Sequence, residues 1–132
     1  MNDKTSISEL RVVVVDDSDF SRSLISRMVT ESGHQVVGEA ADAETAMKII
    51  KEKSPNVVIT DIVMPEISGI ELTEQINKSF DDISVIVVSS LSQEHIVLEA
   101  IGAGAADFIP KPIQKQQLAD SLDKIQTQIS KK

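Results

Sequence analysis

Cysteine, tryptophan and tyrosine are absent from this sequence, and phenylalanine occurs only as Phe20, Phe80 and Phe108. Without cysteine there is no disulfide framework, no thiolate nucleophile and no thiolate metal ligand. That composition suits a reducing cytoplasm, which is the expected location. With so few aromatic rings, stacking on single-stranded bases is almost closed off. Positive charge is scarce too: 13 Lys and Arg stand against 21 Asp and Glu, a net charge of −8. No basic patch is visible, so binding to nucleic acid through phosphate contacts is not expected. No apolar run approaches the roughly 20 residues that a bilayer span needs. Nor does a basic segment followed by an apolar core mark a secretory signal, and no membrane association is expected. A Gly-x-Gly-x-x-Gly turn after the first strand is also missing, which argues against a dinucleotide or flavin site.

What is present is ordinary for one soluble domain: 132 residues, 41% hydrophobic and 26% charged. A chain of that size buries roughly two-thirds of its unfolded surface. Residues 1–9 are polar and mixed and read as a flexible tail, leaving residues 10–130 as the folded domain. The most informative stretch is Asn56-Val57-Val58-Ile59-Thr60-Asp61-Ile62-Val63-Met64-Pro65. Its β-branched run without polar alternation predicts a strand buried on both faces, and Asp61 stands where that strand emerges. Arg11-Val12-Val13-Val14-Val15-Asp16-Asp17 repeats the form, a buried strand running into acid. Either aspartate group alone is a turn former or helix cap. Together they bring three carboxylates to the ends of two strands.

The remaining elements fall between these two. Ser18 or Asp19 caps a helix with apolar positions Phe20, Leu24, Ile25, Met28 and Val29, ended by Gly33. His34 lies in the following turn, read as exposed, as is His95. Gln35 to Ala40 is a short strand. Asp42 caps a helix carrying Ala43, Ala46, Met47 and Ile50, which Ser54-Pro55 stops. After the third strand, Pro65 and Gly69 shape a loop into a helix through Leu72 and Ile76. A fourth strand runs from Ile83 to Ser89, and Ser92 is the expected cap of a helix through Ile96, Val97, Ala100 and Ile101, a face read as mostly core with a few of its positions open to a partner. Ala106 to Ile109 is a fifth strand, closed by Pro110-Lys111-Pro112. Leu118, Leu122, Ile125 and Ile129 define the last helix.

Five strands alternating with five helices predict an α/β fold, a parallel sheet covered on both faces by right-handed crossovers. The fold class is a single doubly wound, flavodoxin-like (βα)5 domain with strand order 2-1-3-4-5. That order makes the fifth strand an edge, where the N–H that Pro110 lacks is not needed. It also sets strands 1, 3, 4 and 5 side by side. Their carboxyl ends carry Asp16-Asp17, Asp61, Ser89-Ser90 and Lys111. Sites in open α/β sheets lie beyond these ends. Crowded carboxylates call for a cation, and Mg²⁺ takes one or two carboxylates, waters and a phosphate oxygen. With an ammonium and a hydroxyl nearby, the rim suits a phosphoryl group, with a carboxylate as nucleophile.

Four segments carry a resemblance: Val15-Asp16-Asp17; Asp61-Ile62-Val63-Met64-Pro65 with Gly69; Val88-Ser89-Ser90; and Gly104-Ala105-Ala106-Asp107-Phe108-Ile109-Pro110-Lys111-Pro112. In order and at these spacings they resemble the receiver domain of bacterial two-component response regulators, of the chemotaxis (CheY-like) branch. The resemblance implies that Asp61 accepts a phosphoryl group from a histidine kinase or phosphotransfer protein. It implies Mg²⁺ held directly by Asp17, Asp61 and the backbone carbonyl of Val63, with Asp16 acting through water. Ser89 and Lys111 would contact the phosphoryl oxygens, and Phe108 would turn inward as Ser89 moves. The Lys111–Pro112 bond matches the family's cis peptide. A downstream protein would bind the face formed by the fourth helix, fifth strand and fifth helix. Val63 and Leu91 are apolar where some relatives carry polar groups that place hydrolytic water, so self-dephosphorylation is expected to be slow. Two other readings compete. The Val-Ser-Ser-Leu segment is shared with methylesterase-type regulators, making a receiver from a larger protein possible. An aspartate-nucleophile phosphatase of the haloacid-dehalogenase type wants Asp-x-Asp followed by Gly-Thr. Asp17-Ser18-Asp19 has the spacing, but Phe20-Ser21 follows.

Overall fold

The structure is a computed structural model that describes residues 9–130. The expected tail therefore lies, except for Glu9, outside the described residues. The chain alternates strictly: β1 (Arg11–Val15), α1 (Asp19–Glu31), β2 (Gln35–Ala40), α2 (Ala43–Lys53), β3 (Val57–Asp61), α3 (Gly69–Ser79), β4 (Ser84–Ser89), α4 (Glu94–Gly102), β5 (Asp107–Pro110) and α5 (Lys115–Ser130). The five strands form one sheet in the order β2-β1-β3-β4-β5, every pairing parallel. The expected doubly wound α/β architecture is therefore the observed one. Among the described residues no helix is long and apolar enough to cross a membrane.

Side chains alternate across a strand, so each central strand feeds two cores. Val13, Val15, Val58, Val85 and Val87 meet Ala46 and Ile50 of α2, Leu72 and Ile76 of α3, and Ala100 of α4. Val12, Val14, Val57, Ile59, Ile86, Val88 and Ile109 meet Ile25 and Val29 of α1 and Leu118, Leu122 and Ile125 of α5. All five residues of β3 are buried, as a strand covered on both faces must be. The caps follow the sequence reading at α1 and α2, and Ser68 caps α3 in the same way. Ser18 accepts from the Ser21 N–H, Asp42 from the Thr45 N–H and Ser68 from the Glu71 N–H.

Several expectations are corrected, and the open positions of α4 are settled. Ser92 does not cap α4; Gln93 does, without a side-chain bond, because the helix begins at Glu94. Phe20 is 79% exposed, since the buried stripe of α1 runs through Ile25 and Val29 and leaves Phe20 outside it. Ile101 is exposed at 47%, whereas Ile96 and Val97 are half-buried. His34 is buried, not exposed: its Nδ1 accepts the Leu10 N–H at 3.0 Å, which draws the ring under the amino end of β1. His95 is exposed as expected. β4 and β5 each start one residue later than read from the sequence.

Candidate functional site

Register builds the site. Val15 pairs with Thr60 across β1 and β3, so the next step sets Asp16 level with Asp61. Asp61 pairs with Val88, which puts Ser89 one step further along β4, and Ser89 pairs with Pro110, which puts Lys111 just past β5. Lys111 is tied in by its own N–H, which donates to the Ser89 carbonyl at 2.9 Å. Gly69 brings the start of α3 against the back of Asp61. Its N–H donates to the Ile62 carbonyl at 2.8 Å, and a Cβ at this position would fall 1.8 Å from the Asp61 carbonyl oxygen. Only glycine admits that approach.

Asp16, Asp17 and Asp61 each offer a carboxylate oxygen within 4.8 Å of the others. Asp16 is fully buried, Asp61 nearly so and Asp17 exposed. The Lys111 ammonium lies 2.9 Å from Asp16 Oδ2 and 3.1 Å from Asp61 Oδ2. Burial pushes the Lys111 pKa down, but hydrogen bonds and charge from Asp16 and Asp61 outweigh it and hold it above the ordinary lysine value. The lysine therefore stays charged. Asp61 Oδ1 also accepts the Ile62 N–H at 2.7 Å. The Lys111–Pro112 peptide is cis.

One ammonium cannot neutralise three carboxylates, and Arg22, another nearby cation among the described residues, is committed elsewhere. The Arg22 guanidinium donates to the Asp16 backbone carbonyl at 2.8 Å and to Asp19 and Glu39. An all-oxygen donor set with two negative charges in excess fits a small, hard divalent cation. Asp17, the open member, has room to face one.

Four of the expected site residues thus converge: Asp16, Asp17, Asp61 and Lys111. Ser89 is buried on the same rim, but its Oγ accepts the Leu91 N–H at 2.9 Å. Among the described residues this hydroxyl makes no hydrogen bond to the Lys111 ammonium or the carboxylates. Phe108 is half-buried and packs against the core beneath α4. Val63 is 57% and Leu91 37% exposed, so apolar surface flanks the mouth of the site.

Sequence reading missed Ser21. Its hydroxyl donates to Asp16 Oδ2 at 2.7 Å and accepts from Lys111 Nζ at 2.9 Å. The signal was available: Ser21 precedes the buried Ile25 and Val29 at four-residue spacing, a hydroxyl on the inward stripe of α1.

The family model of the response regulator receiver domain matches residues 12–123. The chain belongs to this family. Among curated relatives, the receiver is 40% identical over 115 residues to the chemotaxis protein CheY of Thermotoga maritima, covering 87% of this chain and 96% of that one. It is 34% identical over 119 residues to a protein-glutamate methylesterase/protein-glutamine glutaminase of a Nocardioides species, covering 88% of this chain but 32% of that protein. Among solved structures, the CheX–CheY–BeF3–Mg2+ complex from Borrelia burgdorferi superposes with a TM-score of 0.83 at 29% identity, covering 88% of each chain. The receiver is therefore a two-component signalling domain of CheY type rather than an enzyme with turnover as its purpose.

Proposed function

We propose that this receiver takes a phosphoryl group from a phosphohistidine on a sensor histidine kinase or phosphotransfer protein onto Asp61, and that the modified form presents an altered protein-binding surface. The observation that carries the reading is the three-carboxylate cluster with Lys111 Nζ bridging Asp16 and Asp61. An Asp61 carboxylate oxygen forms the new P–O bond as the P–N bond of the donor breaks, and the electron pair returns to the imidazole nitrogen. Asp17, Asp61 and the Val63 carbonyl are the residues that would hold Mg²⁺ directly, with Asp16 behind a water. When bound, the ion supplies the positive charge that the crowded oxygens lack. That the Borrelia CheY was solved together with Mg²⁺ supports this choice of ion.

Lys111 then exchanges its Asp61 contact for a phosphoryl oxygen, and the Ser89 hydroxyl, which accepts from the Leu91 N–H, donates its proton to another. Two charge-assisted contacts at about 1.5–3 kcal/mol each give roughly 3–6 kcal/mol. Inverting a two-state population from 1:99 to 99:1 takes about 5.5 kcal/mol. The upper end of that range meets the requirement, so these contacts are of the size a switch needs. Phe108, half-buried against the same core as Ile96, is the side chain whose inward turn would transmit the change. The face of α4, β5 and α5 would receive the target, and the exposed Leu98 and Ile101 on α4 suit that use. The location proposed is the cytoplasm, with neither nucleic acid nor membrane as a partner.

The test is incubation with Mg²⁺ and acetyl phosphate followed by mass spectrometry. One acid-stable, base-labile phosphoryl group on Asp61 is expected, and its absence in Asp61→Asn with the fold retained. Turnover of added phosphate esters would point instead to an aspartate-nucleophile phosphatase. The lifetime of the label tests the apolar mouth: Val63→Asn is expected to shorten it about tenfold, on the scale of placing one polar group at a reacting water. Equal lifetimes would remove Val63 from the account. A second reading, the same domain as the receiver of a methylesterase-type regulator, has the support of the Nocardioides relative. It changes the output and leaves the site chemistry as described.

A further inference from the structure

The three carboxylates of the cluster are not equally prepared to meet a cation. Asp16 has both oxygens engaged: Oδ1 accepts the Ser18 N–H at 2.9 Å, and Oδ2 accepts from both Ser21 Oγ at 2.7 Å and Lys111 Nζ at 2.9 Å. Ser21 Oγ in turn accepts from Lys111 Nζ at 2.9 Å. Asp16 Oδ2, Ser21 Oγ and Lys111 Nζ therefore close a three-membered ring of hydrogen bonds, in which Asp16 is fully buried and Ser21 and Lys111 are half-buried. With the bond to Asp61, all three ammonium protons are used. Asp17, by contrast, is exposed and outside this ring.

From this we infer that Ser21 is a positioning residue that keeps Asp16 turned away from direct ligation of the cation and holds Lys111 on the Asp16 side of the cluster. The inference rests on the proposed cation-binding role of the cluster and adds a division of labour to it. To ligate an ion directly, Asp16 Oδ2 would have to give up a short bond from the half-buried Ser21 hydroxyl as well as share its bond from Lys111. That cost keeps the site's direct ligands down to Asp17, Asp61 and backbone. Removing the hydroxyl leaves Asp16 with a freer lone pair and one donor fewer, so the corner becomes more negative and more mobile. Both changes favour a cation.

The test is calorimetric titration of the full chain with Mg²⁺ alone, at fixed pH and ionic strength, for the parent, Ser21→Ala and Ser21→Thr. Folding is not at risk in the alanine variant. Alanine is a good helix former, and the bond from the residue 21 N–H to Ser18 Oγ is made by the backbone. Tighter binding by at least about threefold is expected in Ser21→Ala, on the scale of one charge-assisted hydrogen bond partly replaced by water. Ser21→Thr, which restores a hydroxyl, is expected to match the parent. A purely structural role would shift the melting temperature and leave Mg²⁺ affinity fixed. Affinity in Ser21→Ala equal to or weaker than the parent overturns the inference, as does a threonine variant that shifts as far as the alanine one. A parent that binds no Mg²⁺ overturns both this inference and the cation reading beneath it, which separates the two failures.

Discussion

β1 has a buried titratable group at each end, and the two are treated in opposite ways. At its carboxyl end Asp16 is fully buried and receives hydrogen bonds from a backbone N–H, a hydroxyl and an ammonium. At its amino end His34 is also buried, yet one ring nitrogen accepts the Leu10 N–H while Nε2 has no partner among the described residues. The first environment is built to keep a charge inside the protein. The second tolerates only a neutral ring: burial lowers the His34 pKa, against the opposing pull of Asp123 and Glu9. The difference shows that the parallel sheet does not distribute polarity evenly. Its carboxyl rim concentrates charge beyond what Lys111 can balance, and its amino rim packs and seals.

That contrast can be broken most severely at Gly69. A methyl group there meets the Asp61 carbonyl oxygen at 1.8 Å, a backbone atom with little freedom to retreat. Gly69→Ala is expected to cost about 3 kcal/mol in urea unfolding and to abolish labelling of Asp61, because the rim itself is displaced. Wild-type stability and labelling would show that α3 can slide without disturbing the rim.

A smaller effect, of opposite sign, is expected at the charged end itself. Asp17→Asn removes one of three mutually repelling carboxylates, the exposed one. Without Mg²⁺ the variant is expected to be more stable than the parent by about 1 kcal/mol, the scale of a partly screened charge pair. At millimolar Mg²⁺ the order should reverse, since the parent alone gains full binding energy. A variant less stable than the parent in both conditions would mean that the cluster is not held in repulsion.

The smallest effect is expected at the neutral end. Protonating His34 puts a hydrogen on Nδ1, facing the Leu10 N–H, and places a charge in a buried site. With a folded-state pKa below the unfolded value near 6.5, the unfolded chain binds the extra proton first. Stability is therefore full above that value and falls as pH drops towards the folded pKa. His34→Gln keeps an acceptor for Leu10 and removes the titration. The parent should lose more melting temperature than the variant between pH 7 and pH 5.5, and parallel curves would place the charged ring outside the protein's difficulties.

The order and type of the ten elements were legible in the sequence, as was the convergence of Asp16, Asp17, Asp61 and Lys111. The physical reason is local. Each strand is a short β-branched run ended by a polar residue, and parallel crossovers leave one strand order that places those ends together. Polar positions inside helices were less legible. Phe20 was taken into the apolar stripe of α1 that Ser21 in fact occupies one turn before Ile25, because two helical faces offset by one residue carry nearly the same period.

The sequence alone decided which residues stand at the carboxyl rim, since strand boundaries and connection handedness follow from short-range sterics and solvent exclusion. Only the tertiary structure decided how the rim is wired: that Lys111 divides itself between two aspartates, that Ser21 closes the ring on Asp16, and that Ser89 points its acceptor at Leu91. Hydrogen bonds of 2.7 to 3.1 Å between residues as many as 95 positions apart depend on the packing of two cores at once. No local pattern encodes a distance that both faces of a sheet must agree upon.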